Sequence, residues 1–259
     1  MESIFEIIHE IRFDHWGVAY LVLMFPIVIS VHYQLHLHKE LINVSLRATI
    51  QLIFIGLVLL PVFESHWSIQ LLLIIVMMVL GAMVARERGK GLPAPFLTSL
   101  ASLMLSVGMI LAVFILTGAL ETFPNVVIPI GGMLIGNSSR TISLLYHKTR
   151  VDFEMFQPMM EAMMLDGSDY YEAMQYPMQT TLKNALVPRI DALKTLGIVH
   201  IPGAMAGMMM AGASPLEAAG YQILIFFGII STASLAAIIT NRRVYKQLFQ
   251  RTYPHLSWA

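Results

Sequence analysis

The sequence predicts an all-α integral membrane protein with about seven transmembrane helices, and three observations carry that reading. Of 259 residues, 57% are hydrophobic and only 12% charged, against about 25% charged in an ordinary soluble domain. The charges leave seven uninterrupted windows, 15–38, 48–63, 65–85, 91–120, 122–139, 195–216 and 218–241, and a spanning helix needs roughly 17–25 apolar residues. These windows are continuous apolar runs without period-two alternation, which disfavours a strand barrel, the other backbone solution inside lipid.

The elements follow in chain order. Ile4, Phe5, Ile7, Ile8 and Ile11 alternate with Glu6, Glu10 and Arg12 at helical spacing, which predicts a short amphipathic helix on the outer membrane surface. The first window lacks the basic leader and small-residue cleavage site of a secretory signal, so it reads as a retained helix. The next three windows read as plain spans. The fifth contains Gly132 and Gly136, a G-x-x-x-G face, followed at once by Asn137, Ser138, Ser139 and Arg140. Polar side chains at membrane depth are costly, which makes Asn137, Ser138 and Arg140 candidates for a translocation path. The same residues also fit a second account, with Asn137 gluing two helices and Arg140 marking the cytoplasmic interface.

The stretch from about 146 to 184 is too long to be a structureless loop. Met155–Asp166 is rich in Met, Glu and Ala, Gly167 is a natural left-handed stop, and Asp169 with Glu172 reads as a capping box. Helix, tight turn, helix is the expectation. The sixth window carries Ile201-Pro202-Gly203 and then Gly207 and Ala211. A Pro-Gly pair in mid-membrane frees backbone carbonyls, so Pro202, Gly203 and Gly207 are candidates for a hinge or a path lining, with a tightly packed kink as the alternative. Ser214-Pro215-Leu216-Glu217 opens the seventh span, with Ser as N-cap and Pro at the first helical position.

Of the 16 Lys and Arg residues, only Arg12 falls on the side that holds the N-terminus. The positive-inside bias therefore puts the N-terminus outside and the C-terminus, with the 146–184 loop, in the cytoplasm. No repeat or Ser/Gly linker divides the chain, so 1–259 reads as one transmembrane domain.

Several function classes drop out. The chain has no cysteine, which removes zinc thiolate sites, iron–sulfur clusters and thiol nucleophiles. Its net charge is zero, so nothing points to nucleic acid as a partner. It carries no P-loop, no G-x-S-x-G and no H-E-x-x-H, so it is not a recognisable enzyme and energy must come from a partner or a gradient. Candidate metal ligands are Glu6, His9 and Glu10 on the outer helix and Met205 and Met209 in the sixth window. These fit equally a solvated acidic face and methionine as core filler, and none makes a full ligand set.

Glu161-Ala162-Met163-Met164-Leu165-Asp166-Gly167 is similar to the E-A-A-x-x-x-G loop by which ABC permeases dock a short cytoplasmic helix into their ATPase, with Met163 where that loop has its second Ala. Together with Gly131–Ser138, Asn184–Asp191, Pro202–Gly207 and Ala211–Ala218, the chain resembles the FetB-like permeases along nearly its whole length. Bacterial members are described as iron exporters working with a separate ATPase, and plant relatives are tied to aluminium tolerance. At Arg140 the chain has a cation where a neutral residue is expected. The resemblance implies a homodimeric permease subunit of an ABC exporter in the cell membrane, surrounded by lipid, that moves a metal ion, iron, out of the cytoplasm. It implies that Glu161, Ala162, Met163, Met164 and Gly167 couple to the ATPase, and that ATP and Mg sit on that partner with no cofactor on this chain. A gradient-driven metal carrier or channel without an ATPase is the alternative.

Overall fold

The computed structural model describes residues 13–120 and 124–253. The predicted outer helix, with Glu6, His9 and Glu10, lies outside the described residues. Two compact units divide at Glu64 and Ser65.

The first unit contains α1 (Phe13–His32) and α2 (His38–Phe63). They form an antiparallel hairpin, with Tyr20 and Thr49 sharing a 2.6 Å hydroxyl hydrogen bond. Gln34 and His36 adopt left-handed backbone in the turn, at φ 52° and 58°. Ser30 closes it, its carbonyl accepting from the Leu35 amide and its hydroxyl from the Leu37 amide. Among the described residues no group of three or more His, Asp or Glu could hold a metal.

The second unit contains α3 (Trp67–Arg88), α4 (Pro95–Leu116), α5 (Pro124–Leu165), α6 (Tyr170–Thr195), α7 (Gly203–Met210) and α8 (Pro215–Thr252). α5 packs against α3, α4, α6 and α8, and α8 also packs against α4, α6 and α7. In lipid, helices associate through close packing, so small residues at the seams matter. Ala82 and Ala85 of α3 and Ala233, Ala236 and Ala237 of α8 are fully buried, around Leu103, Val107, Leu134, Ile142 and Leu145. Some buried hydroxyls are satisfied on their own helix, as where Ser106 donates to the Ser102 carbonyl and Thr232 to the Gly228 carbonyl, and others across a seam, as where Thr240 of α8 donates to Ser102 of α4.

Among the described helices, α2, α3, α4 and α8 are long and apolar enough to cross a membrane, with a shorter apolar helix at Gly17–His32. The protein is a multi-pass membrane protein. Two of the seven expected spans differ from plain apolar helices. The fifth window is the first part of a 42-residue helix whose C-terminal half is also the first arm of the predicted helix–turn–helix. The sixth window is interrupted more widely than a Pro-Gly kink: helix stops at Thr195, residues 196–202 are non-helical, and Pro202 serves as N-cap of the eight-residue α7. At about 1.5 Å per residue, α7 is roughly 12 Å long, less than half a bilayer core. Gly197, at φ 76°, donates its amide to the His200 carbonyl and holds the break in shape.

Candidate functional site

The predicted helix–turn–helix is present and lies at the far end of α5 and α6. Gly167 sits at φ 94° with open space around it, and the Asp169 side chain accepts from the Glu172 amide at 2.7 Å to open α6. This end has its own apolar core, separate from the main one. Phe153, Met160, Ala173, Met174, Tyr245 and Phe249 are buried together, with Met163 and Met164 packed against them. Met160, 1% exposed, and the partly buried Met163 and Met164 are therefore turned onto the end of α8. What the turn presents outward is Leu165, 90% exposed, together with Ala162, Asp166 and Gly167.

Glu161 is committed as well. Gln157 Nε2 and Tyr253 OH both donate to its Oε1, at 2.9 and 2.8 Å. These bonds hold the Glu161 carboxyl below its ordinary range, and burial with the adjacent carboxylate pushes the Tyr253 phenol up to about 12. Glu161 thus ties the turn to the end of α8.

One layer further along, a buried polar chain joins three helices. Thr181 of α6 donates to Asp152 Oδ2 of α5 at 2.7 Å and is 2.7 Å from the Tyr245 hydroxyl of α8. Because the single Thr181 proton goes to the carboxylate, Tyr245 is the donor to Thr181. All three residues are buried.

The other end of the α5–α6 hairpin is different in kind. Arg189 of α6 reaches across to α5, where Nη1 donates to Asn137 Oδ1 at 2.6 Å, Nη2 to the Asn137 carbonyl at 3.3 Å and Nε to Thr141 Oγ1 at 3.1 Å. Asn137 in turn donates to the Met133 carbonyl at 2.8 Å. Arg140 lies on the exposed side of α5, in the turn between Asn137 and Thr141 that Arg189 contacts. Among the described residues neither guanidinium pairs with a carboxylate, the ion pair found being Lys194 with Asp191.

Neighbouring helices locate these cations. Ser139 donates to the Gly81 carbonyl of α3 at 2.6 Å, five residues before Arg86, so this level is roughly 7 Å on the apolar side of that cation. Leu134 lies against Gly228 of α8, which aligns Arg140 about eight residues, or roughly 12 Å, before Arg242. An arginine facing hydrocarbon costs about 2.5–3.5 kcal/mol on insertion scales. The exposed face of α5 is therefore one that water, protein or a polar headgroup must serve.

The remaining sequence candidates are spread. Ser138 is completely buried and its hydroxyl has no hydrogen-bond partner among the described residues, so of the three polar candidates Asn137 bonds Arg189 and Arg140 lies at the same level of α5. Gly132 allows a close approach, since a Cβ there would meet Met77 Cε at 2.7 Å, but Gly136 faces open space. Pro202 is buried, while Gly203 and Gly207 face open space. Met205 and Met209 are half-buried on α7, and Gln222 of α8 accepts from the Met205 amide at 3.2 Å. Arg189 is the residue that sequence reasoning missed. Its position in a basic stretch made it look like one more cytoplasmic cation, and the nearby Pro188 gave no sign of a contact with Asn137.

Apolar helices packed around one polar helix, with cations held at the depth of the apolar windows, define the class as a multi-pass membrane protein with a polar interior element. The chain belongs to the uncharacterised protein family UPF0014, whose model matches residues 13–249. It is 32% identical over 242 residues to the probable iron export permease protein FetB of Escherichia coli (strain K12), covering 93% of each chain. It is 28% identical over 238 residues to the protein ALUMINUM SENSITIVE 3 of Arabidopsis thaliana, covering 92% of this chain and 87% of that one. The UPF0014 membrane protein YjkA of Bacillus subtilis (strain 168) is 27% identical over 238 residues, covering 90% and 94%. No solved structure matches the chain.

Proposed function

We propose that this chain is the permease subunit of an ABC exporter in the cell membrane, acting as a homodimer with a separate ATPase that binds ATP and Mg, and moving iron out of the cytoplasm. The observation that carries the coupling part is the turn at Gly167, where two helix ends meet and are bolted to α8 through Glu161 and Tyr253. A partner pushing on Leu165 and Ala162 would move α5, α6 and α8 together, and all three continue into the bundle. The iron part is supported by the name of the bacterial relative, and the aluminium-related relative favours metal handling more broadly.

In this reading the N-terminus is outside and the C-terminus cytoplasmic, as the Lys and Arg bias requires. The chain 1–259 acts as one permease domain with the 146–184 segment as its coupling element. The break at 196–202 lines the path, because non-helical backbone at membrane depth is tolerated only where protein or water satisfies it. In this reading Asn137 and Arg140 on α5 and Gly203 and Gly207 beside the break belong to the translocation path. The metal is cargo, and no resident metal or enzymatic activity belongs to the chain.

Affinity capture of the tagged permease from its own membranes tests the proposal. An ABC-type ATPase should co-purify in stoichiometric amount and hydrolyse ATP faster with the permease than without it. A permease that purifies active without any ATPase, and exports iron on a proton or sodium gradient, would replace this reading with the gradient-driven carrier.

A further inference from the structure

Arg140 and Arg189 bring two guanidinium groups to one level of the bundle, where α3 and α8 are still apolar. Three of the five N–H donors of Arg189 are used on Asn137 and Thr141, which leaves two donors and the full charge available. Arg140 makes no hydrogen bond among the described residues and lies on the exposed side of α5. A cluster of this composition is poorly suited to a bare divalent cation, which would be repelled by both charges. It is well suited to carboxylate or phosphate oxygens, which the planar guanidinium fork binds in pairs.

We infer that Arg140 and Arg189 form a receiving station for an anion, and that iron reaches this permease as an anionic complex with an oxygen-rich polycarboxylate instead of as a bare ion. Arg189 is the fixed half of the station, positioned by Asn137 and Thr141, and Arg140 is the half free to close on the cargo. The iron in this statement rests on the export reading above, whereas the anion does not.

The test uses the full-length chain in nanodiscs of zwitterionic lipid and calorimetric binding of three probes: ferric citrate, citrate alone and ferrous ion alone. Iron efflux from cells carrying the permease with its ATPase is scored in parallel. Ferric citrate should bind the parent, bind about tenfold more weakly to Arg140→Gln, the loss expected for one charge-assisted contact, and recover most of that affinity in Arg140→Lys. Efflux should fall in the same order. Arg189→Lys, which keeps the charge and loses the fork, should be intermediate in binding and supply a second handle if Arg140→Gln assembles poorly.

Ferric citrate binding that is equal in the parent and Arg140→Gln overturns the station, and would leave Arg140 as a contact to lipid phosphate. Ferrous ion that binds alone, and binds more tightly in Arg140→Gln, overturns the anionic cargo while leaving iron export intact. Arg140-dependent binding of citrate with no iron efflux from the parent supports the station and removes iron from the proposed function.

Discussion

The two ends of the α5–α6 hairpin use polar groups in opposite ways. At the turn end, Asp152, Thr181 and Tyr245 form a closed donor–acceptor chain, and Glu161 is matched to Gln157 and Tyr253. At the other end, Arg189 and Arg140 carry like charges with no carboxylate beside them among the described residues. A closed network resists displacement because every broken bond strands a buried group. An open cationic pair has spare donors and unneutralised charge, which is what a transient ligand needs. Under the proposed function, the closed end transmits and the open end receives.

The comparison is most easily broken at the closed end. Thr181→Val removes the hydroxyl between Asp152 and Tyr245 and leaves a buried carboxylate without its donor, at a cost of about 3 kcal/mol. Thermal unfolding in detergent should show this loss, with Asp152→Asn milder because it still accepts from Thr181. A Thr181→Val protein as stable as the parent would mean the chain of three is incidental.

Gly167→Val comes next. No neighbour crowds the position, so the cost is the left-handed backbone alone, about 1–2 kcal/mol for a side chain in that region. The variant should insert normally and lose stimulation of the ATPase. Gly167→Asn, which tolerates the conformation, should retain most of it.

At the break, the double change Pro202→Ala with Gly203→Leu favours continuous helix through residues that now cap α7. Assembly should persist while export falls at least severalfold, measured as iron retention in cells. Export at the parental rate would show that the 196–202 break serves packing only.

The smallest effect concerns the tie between turn and α8. Tyr253→Phe removes one of the two donors that depress Glu161, so the Glu161 carboxyl should titrate closer to the ordinary value, as read by carbon NMR of a labelled side chain. The sign is that of a depressed acid. Its stabilising contribution is complete above the ordinary carboxylate value and is lost as pH falls through the lowered one. A carboxyl that titrates identically in both proteins would remove Tyr253 from this tie.

Much of the scaffold was legible in the chain because its signals are local. The Asp169–Glu172 and Ser214–Glu217 caps each span three residues and appear as hydrogen bonds of 2.7 and 3.2 Å. The apolar windows at 65–85, 91–120 and 218–241 yielded α3, α4 and α8 at their expected places. The left-handed stop at Gly167 needed only a glycine after a helix. Composition and length together determined a multi-pass helical membrane protein, since lipid leaves the backbone few other solutions.

Tertiary structure alone decided what the polar and methionine residues do. Arg189 and Asn137 are 52 residues apart, and no periodicity marks their pairing. Met160, Met163 and Met164 share one face of α5 by their spacing, and α8 continues to Thr252, so that its Tyr245 and Phe249 pack with them. Glu161 is held by Tyr253, 92 residues away, a partner that no local spacing marks. In each case the deciding partner comes from a distant helix. Sequence spacing reports which residues share a face of one helix, and only packing determines which helix that face meets.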